Sequence, residues 1–215
     1  MKKILPILAV SFLLTGGLAL GQTASLSFDD NVGVATSGTY NQTATITLDV
    51  IYTFSGGTST GLSYWLETES GVASALTLTG ETYGASFPTA QDGEVKPWAF
   101  TSSSGADSGF LHAVSATQSG DAGATNNTAQ AAGTYDPVAT LTFSLVNAAP
   151  GTYHIETTHL TPLISEGTVN LNDTPFSSQA IYTFTVVPEP GTLSLLGLGG
   201  LGSLGLGILR ARRKI

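Results

Sequence analysis

The sequence predicts an all-β protein, a jelly-roll-like antiparallel β-sandwich, set between two apolar terminal segments. Three observations predict it. Apolar residues alternate with Ser and Thr at a period of two along much of the chain, and no long stretch follows a helical period. Gly, Pro, Asn and Asp clusters interrupt the alternation at short intervals, as turns between strands do. Cysteine is absent, so stability rests on apolar burial and sheet hydrogen bonding, which a two-layer β-fold supplies.

Residues 1–21 read as a signal peptide. Lys2 and Lys3 form a positive start, Ile4–Leu20 is apolar, and Ala19-Leu20-Gly21 offers small residues for cleavage after Gly21. This predicts an N-terminal helix engaged by the Sec export machinery. Residues 22–186 then form one domain of a size that supports a core of its own.

Within that domain the strands are expected in order. Ala24–Phe28 comes first, followed by turn chemistry at Asp29-Asp30-Asn31. Ala44–Phe54 is the clearest strand, with Ala44, Ile46, Leu48, Val50, Tyr52 and Phe54 on one face. Ser55-Gly56-Gly57-Thr58 is expected to break it. Leu62–Glu67 is next, then Val72–Thr79 as a short strand or turn. Short strands are expected at Phe87-Pro88, Lys96–Phe100 and Gly109–Val114, with exposed loops at Ser102–Gly105 and Gln118–Asn127. Ala129–Ala132 reads as one turn of helix. Val138–Val146, Thr152–Thr158, a segment in Leu163–Leu171 and Ala180–Val187 complete the set.

Charge is partitioned sharply. Six of the seven basic residues lie in the terminal segments, so the domain holds Lys96 alone against fourteen acids, a net charge of −13. That argues against nucleic acid as a partner.

Chemistry is sparse. Gly57-Thr58-Ser59-Thr60-Gly61 fits a nucleophile-elbow pattern, but its flanks are strands, where an elbow needs a strand and then a helix. His154 and Glu156 share a strand face and, with His159, read as a solvent-facing polar stripe rather than a metal set. The acidic loops Asp29-Asp30-Asn31, Asp92-Gly93-Glu94 and Asp121 with Asn126 and Asn127 offer oxygens that calcium would accept, but they lack its alternating spacing and read as Asx turns. No catalytic, cofactor-binding or metal-ligating residue is assigned, and no cofactor is expected beyond that weak provision for structural calcium. Trp65 and Trp98 are the candidate glycan contacts, because an exposed indole stacks on sugar rings. Tyr64 and Trp65 face opposite sides of one strand.

Residues 187–215 carry the most information. Pro188-Glu189-Pro190 stops regular structure. The apolar run Leu193–Leu209 has 17 residues, just long enough to cross a bilayer as a helix. Its glycines would spoil a helix in water, yet lipid leaves the backbone no other partner. Arg210, Arg212, Arg213 and Lys214 follow as a basic stop, which places them in the cytoplasm and the rest of the chain outside.

This order of motif, span and basic cluster resembles the PEP-CTERM sorting signal of Gram-negative bacteria. The resemblance implies processing by an exosortase-type peptidase that cuts near Pro188, Glu189 and Pro190. It implies an inner-membrane precursor that becomes a cell-surface or extracellular protein. Tyr135–Glu156, with its Asn-Ala-Ala-Pro-Gly turn between two strands, together with the early strands, resembles cohesin-type and carbohydrate-binding-module sandwiches. The expected function is therefore a non-enzymatic structural or interaction protein of the cell surface or extracellular matrix. A carbohydrate-binding module, with extracellular polysaccharide as partner, is the alternative, followed by a secreted hydrolase.

Overall fold

The computed structural model describes residues 22–30, 35–90, 96–102, 109–114, 122–157, 176–189 and 191. They form an all-β fold of eleven strands and one short helix: β1 Thr23–Asp29, β2 Ser37–Asn41, β3 Thr45–Tyr64, β4 Leu66–Glu69, α1 Ser70–Ala73, β5 Leu76–Tyr83, β6 Thr89–Ala90, β7 Trp98–Ser102, β8 Phe110–Val114, β9 Ala122–Leu145, β10 Gly151–Thr157 and β11 Ile181–Val187. Hydrogen bonding links them in the order β1-β3-β9-β5-β7-β8-β4-β10-β11-β2, with β6 on β9. The path curls back, so that β1 touches β11 and the strands enclose one core.

The spine is the antiparallel pair β3–β9, paired from Thr45 opposite Ser144 to Tyr64 opposite Ala122 with three register shifts on the way. Ile46, Leu48, Val50, Tyr52 and Phe54 are buried, as their alternation requires, and Leu141, Phe143 and Leu145 of β9 are buried with them. The break expected at Ser55–Thr58 is instead a register shift within one strand. Gly56 takes φ 77° there, a conformation that favours glycine, and the ladder resumes.

The loop expected at Gln118–Asn127 and the helical turn at Ala129–Ala132 are corrected as well: from Ala122 onward both belong to β9. Asn, Gly and Ala are poor strand formers locally, but Thr58–Tyr64 presents a ready partner edge, and pairing overrides propensity. Phe87-Pro88 is not a strand. Phe87 plugs the core edge-on to Tyr52 and Tyr135, and its N–H donates to Gly84 O. The short strand or turn expected from Val72 is both in succession: α1 turns Val72 and Ala73 inward, and β5 starts at Leu76.

The sandwich is not wholly antiparallel. β2 pairs with β11 in parallel, Ser37 opposite Thr183 through Asn41 opposite Val187. Its sequence, Ser-Gly-Thr-Tyr-Asn, lacks apolar alternation and gave no strand signal. Among the described residues no helix is long and apolar enough to cross a membrane. The expected signal-peptide helix, the Leu163–Leu171 strand and the span at Leu193–Leu209 lie outside the described residues.

Candidate functional site

The segment that carries the sorting signal leaves the fold directly from β11. Tyr182, Phe184 and Val186 are buried, and β10 and β2 flank the strand on either side, so β11 is fixed to its last residue. Pro188 ends it because proline has no N–H to donate. Glu189 is exposed, and its Oε1 accepts a 2.8 Å hydrogen bond from Thr43 Oγ1. Thr43 lies in the β2–β3 turn, where Ala44 N–H donates to Asn41 O. Gln42 Nε2 ties that turn to Ala148 O at 2.9 Å. Two of the three motif residues, Pro188 and Glu189, thus lie against the domain without a linker. Pro190 and the basic residues Arg210, Arg212, Arg213 and Lys214 lie outside the described residues.

A second cluster was not expected. Antiparallel pairing of β10, β4 and β8 sets Glu156 opposite Glu67 and Glu67 opposite His112, a row on one face. Their exposures are 3%, 0% and 2%. Glu67 Oε1 and His112 Nε2 are 2.7 Å apart, and the Trp65 ring lies 4.7 Å from the His112 ring. One row along, Glu69 pairs with His154 Nδ1 and also accepts from the His154 backbone N–H, in a part-buried setting. The expectation that His154 and Glu156 form a solvent-facing stripe therefore holds only in part: His154 is half-exposed and Glu156 is buried. His159 lies outside the described residues. Glu67 could have been noticed through its alternation with Leu66, but a charged residue on the second face of a strand ordinarily means solvent.

The two tryptophans separate. Trp98 is buried in the core, with Lys96 Nζ 3.6 Å from its ring centroid and Glu81 Oε2 3.0 Å from that amine. Its ring is not offered to a ligand. Trp65 is half-buried beside His112. Ser59 of the elbow-like pattern is buried inside β3, where its hydroxyl donates to Gly61 O and meets the Tyr52 hydroxyl at 3.1 Å.

Of the acidic loops, Asp29 stands opposite Asp49 across β1 and β3. Burial, then repulsion from Asp29 and Asp136, holds the Asp49 carboxyl above the ordinary aspartate range, against a 2.6 Å hydrogen bond from Thr140 Oγ1. Asn126 makes an Asx contact, accepting from Thr128 N–H and donating to Ser86 O. Among the described residues no group of three or more His, Asp or Glu is arranged to hold a metal ion.

Residues 186–214 match the PEP-CTERM protein-sorting motif. That match implies export of the chain and exosortase processing. No curated protein matches the chain. Solved structures similar to it include the seventh ScaB type I cohesin from Pseudobacteroides cellulosolvens, with 12% identity over 77% of this chain and 93% of that one, at a TM-score of 0.43. A cohesin module from a family 33 glycoside hydrolase of Clostridium perfringens has 11% identity over 78% and 98%, at 0.44. A type III cohesin from the ScaE cell-surface anchoring scaffoldin of Ruminococcus flavefaciens has 12% identity over 77% and 87%, at 0.40. At such scores these likenesses say nothing of what this chain binds.

Proposed function

We propose that the chain is the exported precursor of a non-enzymatic structural or interaction protein of the cell surface or extracellular matrix. Residues 187–215 hold it in the inner membrane with Arg210, Arg212, Arg213 and Lys214 in the cytoplasm, until an exosortase-type peptidase cuts near Pro188-Glu189-Pro190. The sorting-motif match at residues 186–214 carries this reading. The domain supports its non-enzymatic part: Glu67, His112, Glu156 and the Ser59 hydroxyl are packed inside, where no substrate reaches them. Fractionation of cells with and without the exosortase tests it. The protein is expected at the surface or in the medium when the peptidase is present, and in the inner membrane when it is absent. An unchanged distribution would overturn the proposal.

The half-exposed Trp65 favours a second reading, a carbohydrate-binding module for extracellular polysaccharide. A glycan array probed with the mature protein decides it: binding that disappears in Trp65→Ala selects the module, and no binding leaves the structural role.

A further inference from the structure

The exit of β11 defines one end of the sandwich. There the β2–β3 turn at Asn41–Ala44, the α1 turn at Ser70–Ala75 and the β9–β10 turn at Val146–Pro150 gather around Val187–Glu189. The contacts fix this: Asn41 is opposite Val187, Gly151 is opposite Val186, Ala148 N–H donates to Gln42 O, and Val146 N–H donates to Ala75 O. Among the described residues of these four segments, Glu189 is the only charged one, in a domain whose net charge is −13. Val146, 58% exposed, is one of the two large apolar side chains that the described residues leave in solvent. Asp49, Asp136 and Glu156 lie farther along their strands, away from this end, and Glu69, beside the α1 turn, is held by His154.

We propose that this end seats on the phospholipid headgroups of the bilayer that holds the chain's own apolar run, an inference that rests on the anchoring just proposed. Distance leaves little choice. From Glu189 to Leu193 the chain spans at most about 14 Å fully extended. The headgroup layer takes up roughly 5–8 Å of that. Thr43, by holding Glu189 against the β2–β3 turn, shortens the reach further. A domain so tethered meets the surface, and its charge decides which side faces down. The acids are repelled by anionic headgroups within a Debye length of about 8–10 Å. The end around Glu189 carries that one carboxylate, already bonded to Thr43, and is repelled least: Asn41 and Asn147 offer amides to phosphate and glycerol oxygens, and Val146 and Pro150 offer apolar contact.

The chain has no cysteine, so single-cysteine labelling of the full-length protein tests this. Val146→Cys and Ala149→Cys report on the proposed seat. Thr58→Cys is exposed 13 residues along β3 from its start, roughly 40 Å away. With the labelled protein in phosphatidylethanolamine–phosphatidylglycerol vesicles, a headgroup-attached quencher is expected to quench at residues 146 and 149 several-fold more than at 58. Equal quenching at the three sites, in protein that floats with the vesicles, overturns the seat and leaves the anchor standing. Protein that does not float with the vesicles overturns both.

Discussion

Glu67 and His112 meet at 2.7 Å with both side chains out of solvent, and Glu156 stands opposite Glu67 from the other neighbouring strand. The pair joins β8 and β4 by side chains as well as by backbone, and Glu156 extends the row onto β10 by register. Removing one member of a buried pair strands the other without compensation, which costs about 3–5 kcal/mol. His112→Ala is therefore expected to lower stability by that amount in urea unfolding. His154→Ala cuts the part-buried pair with Glu69, and exposed pairs contribute about 0–1 kcal/mol. Equal losses in the two variants would refute the distinction.

Lys96 is the domain's sole cation, and it lies between the Glu81 carboxylate and the Trp98 ring. Lys96→Ala leaves Glu81 in a buried site without its cation and is expected to cost about 3–5 kcal/mol. Adding Glu81→Gln should recover much of the loss, which thermal unfolding of the single and double variants measures. No recovery would mean that the stem of Lys96 matters by packing alone.

Gly84 has no room for a side chain. A Cβ there would lie 2.1 Å from the Pro137 carbonyl oxygen, a backbone atom that cannot swing aside. Gly84→Ala is expected to destabilise by about 1–3 kcal/mol, or more if β9 cannot shift. At Gly133 the nearest atom is 3.9 Å away, and Gly133→Ala should fall within about 0.5 kcal/mol of the parent.

Strands with a strong alternating face were legible in the sequence: β1, the first half of β3, the last third of β9, β10 and β11. Their apolar residues report burial directly, as Ile46 to Phe54 do. What the sequence hid depended on partners. β2 and the first half of β9 are strands because β11 and Thr58–Tyr64 lie beside them, and neither has an apolar rhythm of its own. The Glu67–His112 row was hidden for the same reason. Its members are 45 residues apart, and only the β4–β8 register brings them together. The sorting segment was legible because it is a local signal of composition and order.

Asp49 gives a pH dependence of known sign. Its carboxyl, raised in the folded state above 3.8, binds a proton more tightly there than in the unfolded chain. Between 3.8 and the raised value the folded state carries more protons, so this group's contribution falls as pH rises through that window and is lost above it. Asp49→Asn removes the titration and keeps an oxygen for Thr140. The variant should gain stability relative to the parent as the pH rises from 3.8 through the raised value, as chemical denaturation at a series of pH values would show. A constant difference would contradict the assignment.

On the proposed function, residues 187–215 address the protein and are then removed. Intact-mass analysis of the protein recovered from the surface or medium of exosortase-bearing cells tests it most directly. A C-terminus near Pro188-Glu189-Pro190 is expected, with the apolar run and Arg210–Lys214 gone. A mature protein that retains Arg210–Lys214 while the peptidase is active would contradict it and make the segment a permanent anchor.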